Sequence, residues 1–360
     1  MSSNGSGKLL AISDLSISYM SEQGKVHALQ DVSLDIGENQ FVAVVGESGC
    51  GKSTLALAII GLISMPPAMV ESGRIEYRSV DLLALKENDR RKFRGTEIAM
   101  IFQEPLTSLN PVYKVGDQIA EAIMVREQGH GRGEGVGEIG VMQRTYDSKS
   151  VSAPPRLHLP RIAPRDRTSA VLDALKRVRI ADPEQVIDRY PFELSGGMRQ
   201  RVMIAMALSQ KPALLLADEP TTALDVTTQA QVLKLMKTLM TEVNTSILLI
   251  THDLAVASQV ADRIIVMYAG DVVEDSDVYG LFSEPLHPYT VGLLSCIPSG
   301  SKKERKLKPI PGSVFDLTKT TGACKFASRC SRAMAICRQK KPALIEARKG
   351  HRVACLLYGG

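Results

Sequence analysis

The fold is decided by the stretch Gly46-Glu47-Ser48-Gly49-Cys50-Gly51-Lys52-Ser53-Thr54. The apolar run at residues 41–45 precedes it and predicts a buried strand, and the apolar run at residues 55–60 predicts a helix that ends at Gly61. A strand, a glycine-rich loop and a helix, in this order, are the context in which G-x-x-x-x-G-K-[ST] binds phosphate. The sequence therefore predicts an α/β fold around a nucleotide phosphate site.

Each residue type in this loop has a physical role. Glycines let the backbone turn its N–H groups toward phosphate oxygens, and the following helix N-terminus adds partial positive charge. Lys52 supplies a cation for the β- and γ-phosphates, and the Ser53 hydroxyl is a ligand for Mg²⁺. We interpret Cys50 as a small filler rather than a nucleophile. The loop residues expected to bind the nucleotide are Gly46, Ser48, Gly49, Cys50, Gly51, Lys52, Ser53 and Thr54.

Length and composition indicate the class of protein. With 360 residues, 44% of them hydrophobic, the chain is long enough for two or three units with a sizeable core. No stretch of the sequence approaches the roughly 18–20 apolar residues that span a bilayer. Residues 1–8 lack the apolar segment of a signal peptide and are expected to form a flexible lead-in. These features predict a protein in the cytosol, or docked on a membrane from the cytosolic side.

Charge and cysteine distribution narrow the expected partners. The net charge of +5 is mild, and the densest basic run, residues 302–308, is interpreted as a solvated linker, so no nucleic-acid partner is expected. Four of the six cysteines lie after residue 323. In a reducing compartment this crowding favours a metal site over disulfides.

The segments on either side of the loop supply further candidates. Residues 9–40 alternate apolar and polar side chains, which predicts an antiparallel meander; Tyr19 within it is either a platform for adenine or an aromatic side chain facing the core. A second meander near residues 73–77, a charged helix at 87–94 and a strand at 98–102 follow. Gln103 stands at the end of that strand, where its amide could bond to Mg²⁺ or to the attacking water.

The middle of the chain is predicted to be helical and interrupted. Residues 115–125 predict a helix, and residues 127–168 predict a low-complexity surface insertion that is too poor in apolar residues to fold alone. Helical periodicity returns at residues 170–175. Ser195-Gly196-Gly197 then opens another helix, and its N-terminus is a second place that favours an anion.

The second half of the nucleotide core is predicted from two apolar strands. Residues 213–217 lead into Asp218 and Glu219, which suit an Mg²⁺ ligand and a water-activating base. After a helix at 228–243, the strand at 246–250 leads to His252, which can reach a γ-phosphate from this position. Residues 263–267 and 271–274 predict the final pair of strands.

These motifs, in this order, resemble the ATP-binding cassette (ABC) family over roughly residues 10–280. The matching segments are the Walker A loop (46–53), the Q-loop (Gln103), the signature (194–197), Walker B (214–219), the D-loop (Ala223-Leu224-Asp225) and the switch histidine (His252). Met198 departs from the common pattern, which has Gln, and the segment 198–202 is typical of the dipeptide/oligopeptide branch.

The resemblance implies a RecA-like P-loop core with an antiparallel β subdomain, formed by residues 9–103 and 209–285. It also implies a helical subdomain at 104–208, which contains the insertion, and a peptide-permease extension at 286–360. The extension carries four cysteines spaced C-x5-C-x6-C-x17-C: Cys324, Cys330, Cys337 and Cys355. The spacing alone fits neither short zinc hairpins nor ferredoxin runs. The resemblance favours a [4Fe–4S] cluster, with Zn²⁺ or merely buried thiols as alternatives.

The implied function is that of the ATPase subunit of a dipeptide or oligopeptide importer, on the cytoplasmic face of the plasma (inner) membrane. Implied partners are a second, homologous ATPase in a heterodimer, two transmembrane permeases and an extracytoplasmic binding protein. Glu219, His252 and Gln103 would be catalytic, and Ser195, Gly196, Gly197 and Asp225 would bind ATP. Ser195 and Gly197 would act on the nucleotide of the partner subunit. The alternatives are import of another solute, such as nickel or an oligosaccharide, a soluble ABC ATPase of translation or DNA repair, and a nucleotide sensor that does not hydrolyse ATP.

Overall fold

The computed structural model describes residues 7–22, 24–103, 108–129, 164–222, 224–297 and 309–359. Within them the strands are β1 (Lys8–Ser21), β2 (Gly24–Gly37), β3 (Phe41–Val45), β4 (Ala68–Tyr77), β5 (Val80–Asp81), β6 (Ile98–Ile101), β7 (Leu214–Asp218), β8 (Ser246–Thr251), β9 (Arg263–Tyr268), β10 (Asp271–Asp277), β11 (Ile345–Arg348) and β12 (His351–Val353). The α-helices are α1 (Lys52–Ile60), α2 (Glu87–Arg91), α3 (Val115–Gly129), α4 (Pro164–Arg177), α5 (Pro183–Val186), α6 (Gly196–Ser209), α7 (Val226–Val243), α8 (Leu254–Ser258), α9 (Val278–Ser283) and α10 (Pro288–Ser295).

The larger sheet has the strand order β11-β12-β10-β9-β3-β8-β7-β6. The strands from β9 to β6 in this order run parallel, and β10 and β12 extend the sheet by antiparallel pairing. Strands β3, β7 and β8 are buried along their whole length. This explains why they are continuous apolar runs, since a central parallel strand is covered on both faces.

Two hydrophobic clusters cover the two faces of this sheet. Phe41, Ala43 and Val45 point into one cluster, which includes side chains of α3, α4, α6 and α7, whereas Val42 and Val44 point into the other. The second cluster contains α1 and side chains of the smaller sheet. Successive residues of a strand face opposite sides. One short apolar strand therefore contributes to both layers of the core.

The smaller sheet is antiparallel, with the order β2-β1-β4-β5. It confirms the predicted β subdomain, although β1 and β2 form one long hairpin of 14 residues per strand rather than a set of short strands. β1 also pairs with β4 along its length. The α/β core with an antiparallel subdomain is the fold class expected from the sequence.

Several boundaries differ from the sequence predictions. Helix α3 extends into the beginning of the predicted insertion 127–168, and α4 begins before its end. Residues 130–163 within the insertion lie outside the described residues. The charged helix predicted at 87–94 ends at Arg91, α7 begins at Val226, and Lys8 already belongs to β1. The strands β9 and β10 are not the last pair, because β12 of the extension adds to β10.

Three further predictions fall wholly or partly outside the described part of the chain: the rest of the lead-in at 1–6, the basic run at 302–308, and Ala223. In the residues that the structure describes, no helix is both long enough and apolar enough to cross a bilayer.

Candidate nucleotide site

The phosphate loop lies between β3 and α1, and its glycines pack tightly against the neighbouring strands β9 and β2. A Cβ atom on Gly46 would lie 2.3 Å from the carbonyl oxygen of Met267 in β9. Gly51 has a φ of 102°, and a Cβ there would lie 2.4 Å from the carbonyl oxygen of Ala28 in β2. Only glycine is compatible with such contacts and such a φ. The loop therefore presses its backbone against two neighbouring strands.

Lys52 spans the inside of this loop. Its Nζ donates to the backbone oxygens of Gly46 at 2.8 Å and Glu47 at 3.0 Å, and the side chain is buried. Cys50 lies in the core beneath, 1% exposed, and burial raises the pKa of its thiol. A buried, protonated thiol is a poor nucleophile. The arrangement leaves Lys52 as the cation of the loop.

Three polar side chains meet at the carboxyl edge of the parallel strands. Gln103 follows β6, Glu219 follows β7 and His252 follows β8, and these strands are neighbours. The Gln103 amide donates from Nε2 to Glu219 Oε2 at 3.2 Å, and His252 Nδ1 lies 3.1 Å from Glu219 Oε1. The three residues predicted from separate strand ends are thus in direct contact, with the carboxylate in the centre.

Glu219 is fixed by its backbone as well as its side chain. It has a φ of 44°, and its N–H donates to the carbonyl oxygen of Ile250 at 2.9 Å. The Thr222 hydroxyl donates to Oε2 at 2.9 Å. Burial acts to raise the pKa of Glu219, but the hydrogen bonds with His252 and Thr222 outweigh it and hold the pKa below its usual value. The carboxylate is therefore ionised at neutral pH and held in one orientation.

Asp218 is the candidate metal ligand next to it. The residue is 6% exposed, and its Oδ1 has no hydrogen-bond partner among the described residues. Burial raises the pKa of Asp218, a hydrogen bond with Ser53 opposes this, and the charge of Glu219 adds to it. A buried carboxylate oxygen without a partner, beside a hydroxyl, matches the hard oxygen ligands that Mg²⁺ prefers. These two side chains fit the expected cation.

Tyr19 lies beside the start of α1. Its hydroxyl is 3.5 Å from the Thr54 hydroxyl, and its ring is half-buried against the cluster beneath the smaller sheet. This position borders the loop while part of the ring remains accessible. Both interpretations of the side chain remain compatible with its surroundings.

The signature segment is presented to solvent. Ser195 caps α6 by accepting the Met198 N–H at 3.3 Å, and both Ser195 and Gly196 are exposed. Among the described residues, no hydrogen bond joins residues 195–197 to the phosphate loop. Asp225 caps α7 by accepting the N–H groups of Thr227 and Thr228, and the next residue, Val226, is 83% exposed. The structure brings Ser195, Gly196, Gly197 and Asp225 to the surface rather than into the site of their own chain.

The sequence analysis did not identify every residue at this site. Thr222, which fixes the Glu219 carboxylate, could have been found from its place in the turn after β7. Arg329 contacts Glu47 in the phosphate loop from a position 282 residues away. No local pattern indicates a contact of that kind.

The four cysteines of the extension belong to one small region. The N–H of Cys324 donates to the carbonyl oxygen of Cys337 at 2.9 Å, and backbone N–H groups donate to the Sγ atoms of Cys330 and Cys337 at 3.3 and 3.5 Å. The pKa of Cys324 is raised to about 11, mainly because the thiol is buried. The charges of the three other cysteines add to this increase. Such N–H···S bonds suit the ligands of an iron–sulfur cluster. However, no group of three or more Cys, His, Asp or Glu in the described ranges is arranged to hold a metal ion.

Comparison with family models gives two matches. Residues 29–222 match the ABC transporter family. Residues 273–337 match the family described as the oligopeptide/dipeptide transporter C-terminal region. The second match includes the junction between the core and the extension, together with Cys324, Cys330 and Cys337.

Individual relatives are similar over almost the whole chain. The oligopeptide transport ATP-binding protein AppD of Bacillus subtilis is 43% identical over 350 residues, covering 97% of each chain. The dipeptide transport ATP-binding protein DppD of Escherichia coli is 41% identical over 347 residues, covering 96% of each. Among solved structures, a dimeric post-hydrolysis state of the ATP-binding cassette MJ0796, bound to ADP and Pi, aligns with a TM-score of 0.58 at 26% identity. That alignment covers 75% of this chain and 98% of the other.

Proposed function

Because the chain belongs to the ABC transporter family, we propose that it is the ATP-hydrolysing subunit of an importer for dipeptides or oligopeptides. The observation that carries this proposal is the match of residues 273–337 to the oligopeptide/dipeptide transporter C-terminal region. That match does not overlap residues 29–222, which match the general ABC transporter family, so it adds information on the substrate class that the general match does not carry. The names of the relatives that align over nearly the full length support the same substrate class.

The phosphate loop binds the triphosphate of ATP. Its backbone N–H groups and the N-terminus of α1 face the phosphate oxygens, and Lys52 exchanges its bonds with the loop carbonyls for bonds with the β- and γ-phosphates. Ser53, Asp218 and Gln103 are the residues that would hold Mg²⁺, which would neutralise the negative charge that develops on the phosphates. Of the two interpretations of Tyr19, we propose the platform for adenine, because the half-buried side chain lies beside Thr54 at the start of α1.

Hydrolysis uses the contacts centred on Glu219. Its ionised carboxylate accepts a hydrogen bond from the attacking water and orients it toward the γ-phosphate. Thr222 and Gln103 keep Oε2 in place, and His252, whose side chain is 56% exposed, is free to turn toward the γ-phosphate when nucleotide is present. Positioning is the main task, since phosphoryl transfer needs little covalent help from the protein.

The second half of each ATP site comes from a partner subunit. Ser195, Gly196, Gly197 and Asp225 are presented at the surface, where α6 directs its N-terminus outward. The similar cassette MJ0796 has been solved as a dimer. We propose a heterodimer with a second, homologous ATPase, bound to two permease subunits at the cytoplasmic face of the membrane and served by a binding protein. The binding and release of the two nucleotides would then drive alternating access.

Replacing the proposed base tests the catalytic assignment. Glu219→Gln is expected to lower ATP turnover by ~10²–10⁴ and to preserve the association of the two ATPase subunits in Mg·ATP. Glu242→Gln, which makes the same change at an exposed position of α7, is the matched control and should hydrolyse ATP normally. Retained hydrolysis in Glu219→Gln would remove Glu219 from this role. An absence of ATP-dependent association with any homologous ATPase, while the chain still hydrolyses ATP, would contradict the shared sites.

For the extension we propose a structural [4Fe–4S] cluster held by Cys324, Cys330, Cys337 and Cys355. The N–H···S bonds to Cys330 and Cys337 support it, and the four thiols would have to lie closer together than in this structure to hold it. Protein purified without oxygen should contain iron and acid-labile sulfide and should absorb visible light. Cys330→Ser should lose the iron, whereas Cys296→Ser, at an exposed cysteine outside the set, should keep it. Colourless protein with one equivalent of zinc, or with no metal, would contradict the cluster.

A further inference from the structure

A salt bridge connects the C-terminal extension to the phosphate loop. Arg329 Nη1 lies 2.7 Å from Glu47 Oε2, and Arg329 Nη2 lies 3.0 Å from Glu47 Oε1. This is a bidentate pair, in which each of the two terminal guanidinium nitrogens donates to a different carboxylate oxygen. Pairs of this geometry are strong and fix the relative orientation of their partners.

Arg329 is itself held rigidly. Its Nε donates to the carbonyl oxygen of Pro311 at 3.0 Å, and its guanidinium lies 5.7 Å from the centre of the Tyr268 ring and 6.0 Å from that of Phe326. The side chain is only 5% exposed, whereas that of Glu47 is 27% exposed. The extension therefore presents a pre-oriented cation to the loop, and water has little access to the Arg329 side chain.

The backbone of Glu47 is held from the same side. Its N–H donates to the Tyr289 hydroxyl oxygen at 3.0 Å. Tyr289 belongs to α10, is completely buried, and packs against Tyr268 and Phe326 with ring centres 4.8 and 5.4 Å away. Its hydroxyl therefore cannot move independently of this aromatic group.

Glu47 is thus bound through its three polar groups. Arg329 binds the carboxylate, Tyr289 accepts the N–H, and Lys52 donates to the carbonyl oxygen. We call the contacts of Glu47 with Arg329 and Tyr289 the loop clamp. The clamp fixes the first turn of the loop, next to the residues whose N–H groups face the phosphates.

Attachment of the extension to the core does not depend on this contact. Strand β12 pairs with β10, the Nε2 of His351 lies 2.7 Å from the buried Glu274 Oε1, and Lys325 Nζ lies 3.1 Å from Asp271 Oδ2. These contacts all reach β10. The loop clamp contacts the phosphate loop instead. A role limited to attaching the extension to the core therefore does not explain why Arg329 binds this loop.

We infer that Arg329 is a positioning residue for the phosphate loop, through which the C-terminal extension sets the affinity of this subunit for ATP. The inference rests on the proposed ATP site. The loop contacts the triphosphate in the ground state and in the transition state alike, so loss of the clamp should weaken both equally. Such uniform binding changes KM and leaves kcat nearly constant. Glu219 and His252 are on other strands and keep their geometry.

The experiment measures ATP affinity of the full-length chain, and KM and kcat of the assembled transporter. Arg329→Gln is expected to weaken ATP binding and raise KM about tenfold, with kcat changed less than about twofold, a difference of about 1.4 kcal/mol. Arg329→Lys should recover part of the loss. Arg348→Gln is the matched control. It removes another arginine of the extension, an exposed one that pairs with Glu284, and this variant should bind ATP as the wild type does.

A double-mutant cycle tests whether Arg329 acts through Glu47. Glu47→Gln should weaken ATP binding as much as Arg329→Gln, and the double variant should be no weaker than either. If Arg329→Gln does not fold, Glu47→Gln and Arg329→Lys test the same clamp. Unchanged affinity in these variants, or effects that multiply in the double variant, would overturn the inference. A wild-type chain that does not bind ATP would instead contradict the proposed function.

Discussion

The histidine that caps the N-terminus of α10 gives a quantitative prediction about pH and stability. His287 is 2% exposed, and its Nδ1 accepts the N–H of Tyr289 at 3.1 Å, so it caps the helix that carries the tyrosine of the loop clamp. Burial lowers the pKa of His287 from 6.5 to about 4, against the opposing effect of the nearby Glu274 carboxylate. The ring is therefore neutral in the folded chain at pH values where it becomes charged in the unfolded chain.

The sign and size of the effect follow from this difference. The unfolded chain binds a proton near pH 6.5 and the folded chain only near pH 4, so stability is complete above pH 6.5 and decreases as the pH falls between these values. Each pH unit in this range removes about 1.4 kcal/mol from the free energy of unfolding. At pH 5 the buried His287 therefore lowers the free energy of unfolding by about 2 kcal/mol relative to its value above pH 6.5.

His287→Asn isolates this contribution. The asparagine oxygen can still cap α10, but the side chain does not titrate. Urea unfolding followed by circular dichroism at pH 7.5 and pH 5 should show that the wild type loses about 2 kcal/mol more than His287→Asn. Equal losses in the wild type and in His287→Asn would refute the reasoning.

Two further substitutions test the site and the junction with the extension. Lys52→Ala should weaken ATP binding roughly 10- to 150-fold, as expected for a lost charge-assisted contact, while the circular dichroism spectrum stays that of the wild type; nearly unchanged affinity would show that the loop binds phosphate without its cation. Glu274→Ala should lower the free energy of unfolding by about 3–5 kcal/mol, because the buried carboxylate accepts the N–H groups of Leu286 and His287 and contacts His351. A loss below about 1 kcal/mol in urea unfolding would contradict this account of the junction.

Much of the candidate site could be predicted because it depends on the topology of the sheet rather than on side-chain detail. Continuous apolar runs at β7 and β8 predict central parallel strands, and the carboxyl ends of parallel strands share one edge of the sheet. Glu219 and His252 had to be neighbours once their strands were paired. The cap at Ser195 was equally local, since the hydroxyl and the helix that it caps are adjacent in sequence.

The extension could not be predicted in the same way. Strands β11 and β12 have only four and three residues and no strong alternation, so nothing in their sequence indicates that they continue the main sheet. The pair of Arg329 and Glu47 depends on how a distant segment docks after both parts have folded. A motif can identify the phosphate loop, but it does not indicate which remote side chain will hold that loop.

The packing around the phosphate loop explains how three parts of the chain can influence one nucleotide. The loop is pressed against Met267 of β9 on one side and Ala28 of β2 on another, and Arg329 of the extension binds its first turn. Close-packed contacts of this kind transmit small displacements instead of absorbing them. A change at the β subdomain or the extension therefore alters the same backbone that we propose faces the triphosphate. If the arrangement of those units changes the affinity for ATP, then ATP binding must favour the arrangement with the higher affinity, and by the same free energy. A nucleotide that only filled a flexible loop could not act on them in this way.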